Sequence, residues 1–248
     1  MRKLFLHVGC AKCGSTSLQA GLSRAPTIHF STCGNHGGEH LAFALRIRGV
    51  DEWTRQYFDE SWVEREFPRL MKDIHASNET VVLSSERLAG CSLHEIERIA
   101  EVLSGFDVQI VMVQRDINRY LRSTWRHAVY FHDYGESYEA FVKSKEDFSF
   151  CQIEEKFRQF FPVHRFNIDT SNFGEEIGTL FGCKLDIERL NVGVPHAFAE
   201  LLQTTHALLG SEEFKKRFDR QTKQSMLAVC KGEATAKISE ADLKILIA

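Results

Sequence analysis

The chain has 248 residues, of which 43% are hydrophobic and 26% charged, with a formal net charge of −3 at pH 7. These proportions are those of a soluble globular protein long enough for one large core, and the mild negative charge excludes a general affinity for nucleic acid or anionic membranes, so anion binding must be local. No apolar run approaches the ~20 residues of a membrane span, and seven cysteines, an odd number in a chain needing no covalent staples, fit reduced thiols in the cytoplasm.

Met1-Arg2-Lys3 before Leu4-Phe5-Leu6 carries the charge of a leader, but the apolar stretch is too short for one. It serves better as a first strand, Lys3 to Val8. The strand stops at Gly9, and five residues later Gly14 is followed by Ser15, Thr16, Ser17 and a helical pattern. Strand, tight loop and helix in that order aim successive backbone N–H groups at one spot, where the helix N-terminus adds partial positive charge. The expectation is a site for phosphate or a similar oxyanion.

Further strands are predicted at Thr27–Phe30, Thr80–Ser84, Val108–Val113 and Val163–Phe166. Helices are predicted at His40–Ile47, over the stripe Trp62, Val63, Phe67, Leu70, Met71 and Ile74, and over Leu93 to Leu103 with Gly105 as a stop. Others follow around Arg119, at Tyr138–Val142, Phe173–Phe181 and Ala197–Leu209, and in the charged stretch from Ser211. The alternation implies an α/β fold: a parallel sheet of four to five strands flanked by helices, of the P-loop NTPase-like kind, forming one domain over 1–248 with a helical C-terminal extension from about 195. Ligands of such sheets lie outside the carboxyl ends of the strands, an edge that Gly9, Ser85 and Arg115 would line.

In the nucleotide P-loop a lysine directly follows the second glycine. Here Ser15 holds that place, and Lys12 lies inside the loop. Lys12-Cys13-Gly14-Ser15-Thr16, with Ser17-Leu18-Gln19 after it, resembles the 5′-phosphosulfate loop of sulfotransferases that use 3′-phosphoadenosine-5′-phosphosulfate (PAPS). Arg115 after the fourth predicted strand and Ser123 eight positions on are similar to the pair with which that family binds the 3′-phosphate. A forked, permanently charged guanidinium and a nearby hydroxyl suit a phosphate. Arg119, Arg122 and Arg126 follow Arg115 at i+4, i+7 and i+11, one face if the helix is continuous. Weaker matches run through Asn35-His36, His40-Leu41-Ala42, Leu83-Ser84-Ser85-Glu86, Phe160-Phe161, Arg165-Phe166 and Leu190-Asn191. Cys10 and Cys13 depart from the family's usual loop residues, and the tryptophan-containing adenine signature of the cytosolic animal enzymes is not evident.

The resemblance implies that Cys10, Ala11, Lys12, Cys13, Gly14, Ser15, Thr16 and Ser17, with Arg115 and Ser123, hold PAPS and its product 3′-phosphoadenosine-5′-phosphate (PAP), without a metal. Lys12 would neutralise charge on the leaving phosphate. A general base is needed, and Glu86 and His40 are the main candidates, with His36 and Glu39 nearby. His127 and His132 read as surface or rim residues. The expected acceptor is a carbohydrate hydroxyl, or else a lipid-linked sugar or small metabolite. Other readings stay open. Cys10-x-x-Cys13 and Cys33-x-x-His36 have zinc-like spacing, and the first pair alone has the form of a redox site. A nucleotide kinase would have Asp116 for magnesium but lacks the lysine. A non-catalytic nucleotide-binding module is the remaining alternative.

Overall fold

The computed structural model describes residues 1–188 and 194–230. Five strands form a sheet: β1 (Arg2–His7), β2 (Ile28–His29), β3 (Thr80–Ser84), β4 (Phe106–Gln114) and β5 (Val163–Asn167). All neighbours are parallel, in the order β2-β3-β1-β4-β5. Around them run α1 (Ser15–Arg24), α2 (Leu41–Arg48), α3 (Glu52–Arg55), α4 (Glu60–Ala76), α5 (Leu93–Val102), α6 (Ile117–His132), α7 (Tyr138–Lys143), α8 (Phe150–Arg158), α9 (Phe173–Phe181), α10 (His196–Leu209), α11 (Ser211–Arg217) and α12 (Arg220–Cys230).

β1 and β4 are central, and their sequences say why. Leu4, Phe5 and Leu6 are buried in succession, as are Ile110 to Val113, which is the pattern of strands covered on both faces. Leu6 pairs with Leu83 on one side and Ile110 on the other. Local signals frame the helices: Ser92 and Glu95 close a capping box on α5, and the Asp59 side chain caps α4. From β1 the chain moves to β2 and β3 on one side of the sheet, while β4 leads to β5 on the other. The reversal lies between β1 and β4, and their carboxyl ends frame the crevice where open α/β sheets place ligands.

Contacts divide the chain into two compact units, Met1–Asp116 with Phe148–Asn191, and Ile117–Asp147 with Val192–Ala248. The first holds the whole sheet. The second packs Leu121, Trp125 and Tyr130 of α6 with Phe141 of α7, Phe198 of α10 and Phe214 of α11. Among the described residues no helix is long and apolar enough to cross a membrane.

The five predicted strands are all present, with ends shifted by a residue or two. One expectation is corrected. Arg115 does not share a helical face with Arg119, Arg122 and Arg126, because α6 starts only at Ile117. The cause is local: the Asp116 N–H donates to the Asp169 carboxylate (3.1 Å), holding the chain against the exit of β5 before the helix begins. On α6 the Arg122 guanidinium lies over the Tyr138 ring at 5.7 Å, and Arg126 Nε donates to the Arg122 carbonyl. Helix α8 was not expected, although Phe150, Ile153 and Phe157 make a buried stripe at helical spacing. Leu190-Asn191 and the stretch beyond residue 230 lie outside the described residues.

Candidate active site

The loop after β1 is shaped by two left-handed residues. Val8 N–H still pairs with the Val111 carbonyl at 3.0 Å, and then the chain leaves the sheet. Lys12 (φ 67°) and Gly14 (φ 82°) fold it so that Cys13 N–H returns to the Cys10 carbonyl and α1 starts at Ser15. Lys12 is not a glycine, so its conformation costs about 1–3 kcal/mol and must be held by its surroundings. Arg115 does part of this, donating from Nη1 to the Lys12 carbonyl at 3.0 Å. Gly14 is the N-cap of α1, and among the described residues no side chain caps that helix. Its first N–H groups and the positive end of its dipole are therefore left for a ligand.

Gly14 has no substitute here. A Cβ on it would lie 1.8 Å from Ile168 Cδ1, and its φ disfavours any L side chain. Gly14→Ala is expected to lower the urea-unfolding free energy by about 1–2 kcal/mol from the backbone alone, plus the cost of displacing Ile168. Adding Ile168→Ala should recover the second part and not the first. Full recovery in the double variant would show that φ carries no strain.

Charges converge on the same loop. Glu86 opens the turn after β3, and burial, with the nearby charge of Glu39, raises its pKa above the ordinary carboxylate value. Ser15 and Lys12 pull the other way. The Lys12 ammonium is pushed down by burial and supported by Glu86. Ser15 Oγ approaches Glu86 but completes no hydrogen bond of normal geometry, and Arg115 Nε is likewise buried without a partner among the described residues. Buried polar atoms without partners are rare and costly. Here Ser15 opens the uncapped helix, and Arg115 reaches the same loop from the end of β4. Asp169 completes the edge, meeting Arg115 Nη2 at 3.4 Å.

Cys10 and Cys13 are buried, the first pushed up to about 12 by burial and Glu86, the second raised by burial and Cys10. Thiolate is the reactive form, and burial disfavours it at both positions of the loop. Cys33 is half-buried, and His36 packs its ring against Phe58. Among the described residues no group of three or more His, Cys, Asp and Glu is arranged to hold a metal ion.

Beneath the loop lies a polar knot at Ser84. Its Oγ accepts from Gln19 Nε2 (2.9 Å) and meets His7 Nδ1 (2.8 Å). Its N–H donates to His40 Nδ1 (3.0 Å), and its carbonyl accepts the His40 N–H (2.8 Å). Both imidazoles are 0% exposed, and burial lowers each to a pKa of about 4. His40, packed edge-on to Phe30, ties the start of α2 to the end of β3. Of the two candidate bases, Glu86 is the one beside the loop. Ser123 stands two turns into α6, in the second unit.

Sequence reasoning missed His7 and Asp169, and named Gln19 and Ser84 only within matching stretches, without a role. The signal for Asp169 was its place just past β5, on the edge that Gly9 and Arg115 occupy. His7 was a polar residue directly after the apolar run Leu4-Phe5-Leu6.

No family model matches this chain, and no curated protein matches its sequence. Among solved structures it is similar to a sulfotransferase from Alicyclobacillus acidocaldarius, with 15% identity and a TM-score of 0.53, over 93% of this chain and 96% of that one. At that identity the likeness establishes the fold: this chain folds as that sulfotransferase does, around a five-stranded parallel sheet flanked by helices.

Proposed function

We propose that the protein is a PAPS-dependent sulfotransferase acting on a hydroxyl or amine of a small acceptor, with carbohydrates and glycoconjugates foremost. The observation that carries this reading is the convergence of an uncapped helix N-terminus, Lys12 and the unpartnered Ser15 Oγ and Arg115 Nε on one loop. Arg115 Nε has no acceptor among the described residues and Ser15 Oγ only approaches Glu86, and such donors fit bound oxyanions. Ser15 in the place of the nucleotide P-loop lysine weighs against a kinase.

When bound, PAPS supplies the sulfuryl group: its bridging S–O bond breaks as one forms to the acceptor oxygen, whose proton departs. The chain's own part is positioning and charge. The N–H groups of Gly14, Ser15 and Thr16, with the Ser15, Thr16 and Ser17 hydroxyls, bind the 5′ end. Lys12 neutralises charge at the leaving oxygen. Glu86, its pKa raised by burial but still ionised when it acts, takes the acceptor proton. Arg115 binds the 3′-phosphate, and Ser123 is assigned with it on the sequence pattern.

Calorimetric titration with PAP, AMP, ADP and ATP in the absence of magnesium tests this. PAP is expected to bind tightest, and Arg115→Ala to weaken it by about 10–100-fold, the worth of a charge-assisted pair of about 1.5–3 kcal/mol. AMP, lacking the 3′-phosphate, should lose clearly less in the same variant, only what the freed Lys12 carbonyl costs the loop. Preference for ATP, or equal losses for PAP and AMP, would overturn the assignment.

A further inference from the structure

A cavity of about 450 Å³ lies between α1 and the segment that follows β2. Its volume is that of a small-molecule site. It begins at Thr16, the second residue of α1, so its mouth adjoins the oxyanion loop. None of the residues lining it is charged. Gln19 spends Nε2 on Ser84 and turns Oε1 toward Gly38, where a Cβ would come within 3.1 Å of it. Asn35 spends Oδ1 on the Gly38 N–H (3.0 Å) and keeps its two amide protons. Thr16 and Thr32 are exposed and present hydroxyls, and Phe30 adds one half-buried apolar face.

We infer that this cavity is the acceptor subsite and that it takes an uncharged, hydroxyl-rich small molecule of the neutral sugar class. The inference rests on the sulfotransferase reading for the word acceptor, and on the cavity for the chemistry. Neutral donors and acceptors beside one apolar surface match a sugar ring, which alternates hydroxyls with C–H faces. A carboxylate or sulfate would lose its hydration here with no cation to replace it. Arg119, Arg122 and Arg126 belong to α6, and none lines this cavity. A flat phenol would leave the wall amides unpaired, which is costly.

The test is saturation-transfer NMR on the full chain, with methyl glucoside, methyl galactoside, maltose, glucuronate and 4-nitrophenol as probes, alongside PAP calorimetry. At least one neutral sugar should bind about tenfold or more tighter than glucuronate and 4-nitrophenol, a gap of about 1.4 kcal/mol. Ala20→Phe, which fills the cavity from α1, should abolish the sugar signal and leave PAP affinity within about twofold, since a wall residue away from the loop holds no phosphate. Thr32→Trp does the same from an exposed position should the first variant fold poorly. Glucuronate or 4-nitrophenol binding as well as the sugars, or sugar binding that survives both variants, overturns the inference. Sugar binding without PAP binding would uphold the sugar site and sink the cofactor reading; PAP binding without any neutral sugar would do the reverse.

Discussion

Glu86→Gln is expected to lower kcat by about 10²–10⁴-fold, the usual worth of a general base, while PAP affinity stays nearly unchanged. The turn that carries Glu86 is fixed without it. Ser85 Oγ accepts the Arg87 N–H and donates to the Glu39 carboxylate, and Ser85 N–H pairs with the His7 carbonyl at 3.0 Å. The Glu86 side chain is thereby left to the loop, between Lys12 and Glu39. Its raised pKa sets the pH dependence. A base works only when deprotonated, so kcat should fall as pH drops through that raised value, and the acid limb should vanish in Gln.

The rival role for Glu86 is to hold the Lys12 ammonium. Removing the carboxylate would then lower the Lys12 pKa further, because Glu86 is what opposes its burial. The loss would appear on the alkaline limb with an unchanged plateau, and that profile would sink the role as base.

What was legible in the sequence was local. Val108 to Val113 is an apolar, β-branched run that reads as a strand wherever it occurs, and Gly9 with Gly14 mark a loop, the second because its dihedral requires it and the first because His7 leaves no room for a side chain. What was not legible was the pairing of polar groups distant in sequence. His40 reads as the start of a helix, and so it is, but its commitment to Ser84 depends on β3 lying beside it. Likewise the spacing of Arg115 to Arg126 fits a helical face, because periodicity carries no information about where a helix begins. That start was set by Asp169, more than fifty positions away, which takes both the Asp116 N–H and an arm of Arg115.

The knot at Ser84 predicts that acid destabilises the protein earlier than ordinary carboxylate titration would. His7 and His40 have folded pKa values of about 4 against a reference of 6.5. Between those values the unfolded chain holds more protons than the folded one, so stability rises with pH there. It is fully present above pH 6.5 and is lost as pH falls toward 4. Each histidine accounts for roughly 3 kcal/mol over that window, so the two together are comparable with the total stability of many domains. Because both rings bond to one serine, their effects should not simply add. Glu86 works in the opposite sense, binding its proton more readily when folded, so the measurement is cleanest in Glu86→Gln. In that background, urea-unfolding free energies between pH 4 and 7.5 should change with a slope approaching about two protons. His40→Asn, whose Oδ1 can still accept the Ser84 N–H, should remove about one of them. A free energy that stays flat from pH 7 to 5 would mean that neither ring is held neutral. The loop should register the change first. His7 Nε2 lies close under Gly9, where a Cβ would meet it at 2.4 Å, and its Nδ1 shares Ser84 with Gln19 of α1. A charge forming there disturbs the oxyanion loop before the sheet gives way, so PAP affinity should decline at a higher pH than the far-ultraviolet dichroism does.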